Sequence, residues 1–240
     1  MYTLGIETSC DETGAAIVKN GNTVLSNVIS SSINFHKKYG GIIPEIASRR
    51  QLETITQVVD SSIKQAGIRF KQIGLICVTN RPGLLGSLVV GISFAKSLSY
   101  ALNIPLLGVN HVYAHIYASF LNAKLISLPF IALVISGGHS SLFLVNDFDE
   151  IKLLGRTLDD ASGEAFDKVA KILGLSYPGG PVIEKLASDG DCRKIKFNCS
   201  DTKNPLNFSF SGIKTAVLYY LREHPSKKAS QVKDISASFQ

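Results

Sequence analysis

Segments with the apolar spacing of strands and of helices alternate along this chain, and that order constrains its fold more than any other feature. Strands are predicted at 2–8, 15–19, 24–30, 75–79, 106–110, 130–135, 142–145 and 151–158, and helices at 45–66, 88–102, 111–121, 163–173, 180–187, 211–222 and from 229 onward. Alternation of this kind favours an α/β fold in which helices cover mixed sheets.

The order of elements is similar in two halves of the chain. Each half opens on a run of strands with a polar, glycine-containing loop, and the turn Asn20-Gly21-Asn22 predicts a hairpin in the first. A boundary near Asn110 would give a first domain over 1–109 and a second over 110–240. The halves show no residue-level similarity, so the repeat is predicted for the structure only.

Composition excludes some classes of protein and favours others. Hydrophobic residues make up 45% of the 240 residues, which excludes a disordered chain. Lys and Arg number 25 against 19 Asp and Glu, a formal net charge of +6. A surplus of this size favours an anionic partner such as RNA or a nucleotide, although solubility alone is the other interpretation.

The chain carries no visible targeting signal. Residues 1–7 lack a basic segment followed by an apolar run, and the apolar stretch 130–135 is too short to span a bilayer. The cysteines form no CxxC pair, which is typical of a reducing compartment; they are Cys10, Cys77, Cys192 and Cys199. We expect a soluble cytoplasmic protein without membrane contact.

Two polar loops between predicted strands could bind phosphate. The loop 9–14 supplies hydroxyls, the carboxylates of Asp11 and Glu12, and a glycine; an ordinary acidic turn is the alternative. The loop 136–141 contains Ser136-Gly137-Gly138, which offers unobstructed backbone donors or, alternatively, a tight hairpin. The segment 83–87 could contribute, but it lacks the Lys-Ser/Thr ending of a P-loop.

His111 and His115 lie four residues apart on a predicted helix. They therefore project from one face, about one turn apart, a spacing that suits two imidazoles on one transition metal. Histidines that cap or fill a helix face are the alternative. The residue after His111 is Val112, so the general-base glutamate of a zinc protease is missing, and a third ligand must come from elsewhere.

Six motifs together resemble one family. They are residues 5–13 (GIETSCDET), the His111/His115 pair, 136–139 (SGGH), 165–168 (AFDK), 177–181 (YPGGP) and 208–214 (FSFSGIK). Their order and spacing are similar to those of the tRNA N6-adenosine threonylcarbamoyltransferases, and the similarity runs from Tyr2 to Gln240.

The resemblance implies the two-lobed α/β fold of actin, sugar kinases and heat-shock ATPases, with the second lobe incomplete in this chain. It implies transfer of a threonylcarbamoyl group from threonylcarbamoyl-AMP to N6 of adenosine 37 in tRNAs reading ANN codons. It also implies one iron or zinc ion per subunit. The implied protein partners are a non-catalytic paralogue, bound through the first lobe, and an ATPase subunit.

The resemblance also implies roles for individual residues. His111 and His115 match the metal ligands, and Asp11 and Glu12 match the acidic first loop, which we assign to catalysis. The implied substrate-binding residues are Val134, Ile135, Ser136, Gly137, Gly138, Asp167, Gly180 and Glu184. No covalent nucleophile is required, so Cys10 is interpreted as a small packing residue.

Two departures from the family pattern qualify this assignment. Arg81 stands where the family usually has glycine, and it either contacts phosphate or tRNA or perturbs its loop. Family members also continue beyond Gln240 with an Asp-Asn-Gly motif that supplies the third metal ligand, so we expect a truncated chain. An inactive fragment, or a scaffold or dimerisation module, is the alternative function.

Overall fold

The computed structural model describes residues 1–121, 126–198, 202–225 and 229–240, so Cys199 lies outside the described residues. By its internal contacts the chain divides into two compact units, Met1–Ile126 and Ser127–Gln240. Each unit has its own sheet and its own hydrophobic core.

The first unit is built on a five-stranded mixed sheet with the order β3-β2-β1-β4-β5. Its strands are β1 (Tyr2–Glu7), β2 (Glu12–Lys19), β3 (Thr23–Ser31), β4 (Ile73–Arg81) and β5 (Leu106–Asn110). β1 pairs antiparallel with β2 and parallel with β4, and β4 pairs parallel with β5. Because β1, β4 and β5 are parallel, the loops that follow them meet at one edge of the sheet.

Helices pack on both faces of this sheet. The longer pair, α2 (Pro44–Gln65) and α3 (Leu85–Leu102), covers the face to which Leu4 and Ile6 point. Two shorter helices are α1 (Ile33–His36) and α4 (His111–Ala118), and α4 lies on the opposite face, where His111 reaches Glu7. Alternation along β1 turns Leu4 and Ile6 to the core, where they pack with Val59 of α2 and Ala95 of α3. The core of the first unit therefore lies between the sheet and the pair α2–α3.

Among the described residues, α3 is the one helix long and apolar enough to cross a membrane by length and composition alone. We considered only uninterrupted apolar runs in the sequence and therefore did not predict this property of α3. Leu88, Gly91 and Ala95 are buried, and a Cβ on Gly91 would lie 2.2 Å from Thr8 Oγ1. This close approach packs α3 onto the end of β1 as part of the first unit's core.

Helix α4 belongs to the first unit. It contacts β4 and β5, so the division between the units falls after Ile126 rather than near Asn110, where the sequence analysis expected it.

In its described residues, the second unit combines a small antiparallel sheet with four helices. The sheet order is β6-β7-β8, formed by Phe130–Ile135, Ser140–Val145 and Ile151–Arg156. The helices are α5 (Ser162–Leu173), α6 (Gly179–Ala187), α7 (Ser211–Glu223) and α8 (Ala229–Phe239). Val169, Ile183, Val217 and Ile235 form their common core.

The predicted α/β class is confirmed, and the predicted strands and longer helices lie within a few residues of their observed positions. Helix α1 was not predicted, because a single turn is too short to show helical periodicity.

Candidate functional site

The loop after β1 carries the two predicted catalytic carboxylates and separates them. Glu12 is exposed at the start of β2, and Asp11 precedes it, half-buried. Glu12 lines a groove of about 520 Å³ together with Glu7, His111 and His115. Asp11 lines a different cavity of about 150 Å³. Neighbouring side chains of an extended chain alternate between faces. Of the two predicted carboxylates, only Glu12 therefore shares a groove with the histidines.

The loop after β4 packs directly on the loop after β1. Leu84 N donates to Ser9 O over 2.8 Å, and a Cβ on Gly83 would lie 2.5 Å from that oxygen. Gly83 is therefore required for the close approach of the two loops. Arg81 lies in register with Asn110 at the end of β4 and is exposed. The Arg81 side chain therefore does not disrupt the close contact between Gly83 and Ser9.

The histidine pair is positioned by a capped helix. Asn110 Oδ1 accepts hydrogen bonds from Val112 N (2.9 Å) and Tyr113 N (3.4 Å), which fixes the start of α4 at His111. One turn later, His115 Nε2 lies 3.1 Å from His111 Nε2, and the ring centroids are 4.5 Å apart. The two imidazoles therefore converge through their Nε2 atoms, as the spacing predicted.

Glu7 is a site residue that we did not single out from the sequence. Its Oε2 lies 3.0 Å from His111 Nδ1, and Ser9 N and Thr79 Oγ1 donate to the same carboxylate. Burial alone would raise the pKa of Glu7, but the hydrogen bonds from His111, Ser9 and Thr79 outweigh it and lower the pKa to about 2. One signal in the sequence could have identified Glu7: it is a glutamate at the end of a core strand, within the motif 5–13.

These contacts test whether the residues fit a metal ion. The ionised Glu7 accepts from Nδ1–H of His111, so Nε2 is the ring nitrogen that carries the lone pair, as in carboxylate–histidine–metal arrangements. Two nitrogen ligands at ~2.0–2.1 Å in tetrahedral geometry lie roughly 3.3 Å apart, close to the 3.1 Å observed. The pair fits two positions of a metal site. No group of three or more potential ligands occurs among the described residues.

Burial lowers the pKa of His115, and the neighbouring His111 lowers it further. A neutral imidazole is the form that binds a metal. The shift therefore favours the state of His115 that a ligand needs.

Cys10 lacks the properties of a nucleophile. Cys10 is exposed at the surface, but partial burial of its thiol and the charge of Asp11 raise the pKa of the thiol to about 11. A thiol protonated at neutral pH is poorly nucleophilic.

In the second unit, the predicted substrate loop forms a tight turn after β6. Ser136 N donates to His139 O (2.8 Å), and His139 N donates to Ser136 Oγ (3.1 Å). Val134 is buried, whereas Ile135, Gly137 and Gly138 are exposed; a Cβ on either glycine would meet nothing within 4 Å. The turn therefore presents an open backbone.

The start of α5 is packed against this turn. A Cβ on Gly163 would lie 2.9 Å from Gly137 Cα and 3.0 Å from Ser136 O. Four residues later, on the same face of α5, Asp167 Oδ1 accepts a hydrogen bond from Gly179 N at the start of α6 (2.7 Å). The glycine turn and the start of α6 therefore contact the same face of α5.

The remaining predicted substrate residues lie on α6. Gly180 is in its first turn, where a Cβ would meet nothing within 4 Å, and Glu184 is exposed one turn further along. Burial raises the pKa of Asp167, although its bond from Gly179 N opposes this.

Asp159 and Asp160 bond to residues of two other motifs of the second unit, 165–168 and 208–214. Asp159 Oδ1 accepts from Phe210 N (2.8 Å) and Ser211 N (3.2 Å), which caps the start of α7. Asp160 pairs with Lys168 (2.6 Å) and Lys214 (2.8 Å). Burial opposes ionisation of Asp160, but these hydrogen bonds outweigh it and lower its pKa to about 2.

Comparison with known proteins identifies similar sequences. Residues 23–240 match the TsaD family, described as tRNA N6-adenosine threonylcarbamoyltransferase. Proteins of that name from Caldicellulosiruptor saccharolyticus and Clostridium kluyveri are 50% and 52% identical over 241 residues. These alignments cover 100% and 99% of the chain, which spans 71% and 70% of the two relatives.

Solved structures agree on the fold. The (R)-2-hydroxyglutaryl-CoA dehydratase component A of Acidaminococcus fermentans aligns with a TM-score of 0.56 at 15% identity, over 100% of this chain and 74% of that one. The activator of the 2-hydroxyisocaproyl-CoA dehydratase from Clostridium difficile gives 0.51 at 14% identity, over 100% and 70%. The chain therefore has the α/β fold of the actin, sugar-kinase and heat-shock ATPase class, as predicted.

Proposed function

The chain belongs to the family of tRNA N6-adenosine threonylcarbamoyltransferases, which are acyl-transferring enzymes, and from this premise we propose its reaction. It transfers the threonylcarbamoyl group of threonylcarbamoyl-AMP to N6 of adenosine 37 in tRNAs that read ANN codons, which forms t6A. The observation that carries this proposal is the groove of the first unit, where Glu12 lies with His111 and His115.

The reaction needs a base and a leaving group, and no covalent intermediate. The N6 amine attacks the carbamoyl carbon, a C–N bond forms, and the bond from that carbon to the phosphate oxygen breaks. Glu12 accepts the proton that N6 loses, and AMP departs with the electron pair of the broken bond. Asp11 lines a different cavity, so it would act on the attacking amine through its negative charge and without direct contact.

His111 and His115 would hold one metal ion per subunit through their Nε2 atoms, and we propose iron or zinc for it. When bound, such an ion supplies Lewis-acid polarisation of a carbonyl group. Glu7 favours the tautomer of His111 with the proton on Nδ1, in which Nε2 carries the lone pair.

The second unit would bind the adenylate. Backbone donors of the open glycine turn and the start of α5 suit an anionic phosphate, since helix N-termini favour negative charge. The proposed contacts are Val134, Ile135, Ser136, Gly137, Gly138, Asp167, Gly180 and Glu184. Donors to the phosphate would also stabilise AMP as it leaves.

We also propose a cytoplasmic location, because the substrate is tRNA, and two protein partners. A non-catalytic paralogue would bind the first unit, where Leu85, Val89 and Tyr100 expose an apolar side of α3. An ATPase subunit would complete the assembly. The net charge of +6 agrees with an RNA substrate.

An assay of the transfer tests the proposal. The protein expressed from its own gene is incubated with unmodified tRNA, threonylcarbamoyl-AMP and the candidate partners, and the digested tRNA is analysed by mass spectrometry for t6A. We expect t6A with the wild-type protein and a large loss with Glu12→Gln. Absence of t6A with every component present would refute the assignment.

A further inference from the structure

Buried polar side chains of the first unit gather around residues 8–12, the loop that carries Asp11 and Glu12. They include Thr8, Ser9, Ser32, His36, Gln51 and Ser87. Burial of polar groups is costly unless they find partners, and here the partners are largely backbone carbonyls of the loop. We propose that Gln51 and the pair Ser32–His36 are positioning residues that hold this backbone, and through it the two carboxylates, in the geometry for transfer.

Gln51 holds the loop from α2. Its side chain is 1% exposed, and Nε2 lies 3.0 Å from Cys10 O, 3.0 Å from Glu12 O and 3.4 Å from Thr8 O. One amide nitrogen therefore ties three points of a five-residue segment. Its Oε1 is buried and has no hydrogen-bond partner among the described residues, so the donors alone explain a glutamine here.

Ser32 and His36 hold the loop from the other side. Ile43 N donates to His36 Nδ1 (3.3 Å), so the ring proton is on Nε2, which lies 3.0 Å from Ser32 Oγ. Ser32 Oγ can then accept from His36 and donate to Asp11 O over 2.6 Å. His36 is 0% exposed, so its ring is shielded from solvent. Its two ring nitrogens bond to Ile43 N and to Ser32 Oγ.

The remaining carbonyl of the loop is also held, and two carbonyls are held twice. Asp11 O accepts from Ser32 N (3.2 Å) in addition to Ser32 Oγ. Ser9 O accepts from Leu84 N (2.8 Å), and Cys10 O accepts from Ser87 Oγ (3.0 Å) in addition to Gln51. Every carbonyl from Thr8 to Glu12 thus has a donor. The loop cannot shift without breaking several hydrogen bonds, and displacement of a catalytic group by ~1 Å can cost roughly 100-fold in rate.

This inference rests on the proposed function, and its test separates the two. Gln51→Met keeps the length of the side chain and removes the donors, whereas Gln51→Glu places an acceptor against three carbonyls. Gln57→Met, an exposed position on the same helix, is the matched control. We expect kcat for transfer to fall by roughly 10–100-fold in both Gln51 variants. The KM for threonylcarbamoyl-AMP should change little, because its proposed contacts lie in the second unit.

A second readout does not depend on activity. Amide hydrogen exchange over residues 8–12 should be faster in Gln51→Met and in Ser32→Ala, which weakens the opposite side, and unchanged in Gln57→Met. Thermal unfolding checks that the variants are folded. Wild-type kcat, or wild-type exchange, in folded Gln51→Met and Ser32→Ala would overturn the positioning role. If the wild-type protein makes no t6A, the proposed function fails, and exchange still decides whether these residues hold the loop.

Discussion

The first strands of the two units both carry large apolar side chains, but their surroundings are very different. β1 pairs on both sides, with β2 and β4, and its Leu4 and Ile6 are 0% and 3% exposed. Among the described residues β6 pairs with β7 alone, and its Ile131, Leu133 and Ile135 are 55–60% exposed. An apolar strand is therefore buried by its neighbours, and its own sequence does not guarantee burial.

The loops after these strands differ in the same way. Donors from α2, α3 and the segment around Ser32 hold every carbonyl of residues 8–12. The turn 136–139 closes on itself, and its glycines face open space. We infer that the first loop is built for fixed geometry and the second for access to its backbone.

The largest difference between the units is expected in metal binding. His111→Ala and His115→Ala should each reduce bound iron or zinc from about one ion per chain to nearly none, because each removes one of two converging imidazoles. His139→Ala, in the second unit, is the control and should retain the ion. Elemental analysis of the purified variants measures this. Unchanged metal content in both first-unit variants would remove the ligand assignment.

Core substitutions test the difference in burial. Leu4→Ala should lower the free energy of unfolding by about 2–5 kcal/mol, since the side chain is fully buried in a packed core. Leu133→Ala should cost less than about 1 kcal/mol, because more than half of that residue is exposed. Denaturant titration of both variants gives the comparison. Equal costs would show that β6 is covered in solution.

Glycine substitutions test the difference between the loops. Gly83→Ala places a Cβ against Ser9 O and should destabilise the protein by about 1–3 kcal/mol. Gly138→Ala meets no atom within 4 Å and should leave stability within about 0.5 kcal/mol of wild type. Thermal unfolding of the two variants decides. A larger loss for Gly138→Ala would contradict the account of the open turn.

The smallest expected effect is a pH dependence of stability that arises from Asp160 in the second unit. The pKa of Asp160 is lowered from 3.8 to about 2, so its contribution to stability is present above pH 3.8 and lost as pH falls toward 2. Asp160→Asn should therefore be less stable than wild type at pH 6 and approach it near pH 2. Asp189→Asn, at an exposed pair with Lys233, should show little change. Parallel unfolding curves from pH 2 to 6 would reveal whether Asp160 behaves as proposed.

The sequence predicted the elements and the histidine pair because both depend on local spacing. His111 and His115 are four residues apart, so helix geometry alone brings their side chains together. Glu7 and Gln51 act across 104 and 39–43 residues, and no local pattern reveals such contacts. The separation of Asp11 from Glu12 also depends on where β2 begins, a boundary that periodicity places only to within a few residues.

The central claim is transfer of an acyl group to tRNA with AMP as the leaving group, and the stoichiometry of products tests it most directly. AMP and t6A are measured in the same reaction of the protein with its partners, threonylcarbamoyl-AMP and unmodified tRNA. The account predicts one AMP released for each t6A formed, with both reduced together by Glu12→Gln. Release of AMP without any t6A would contradict it.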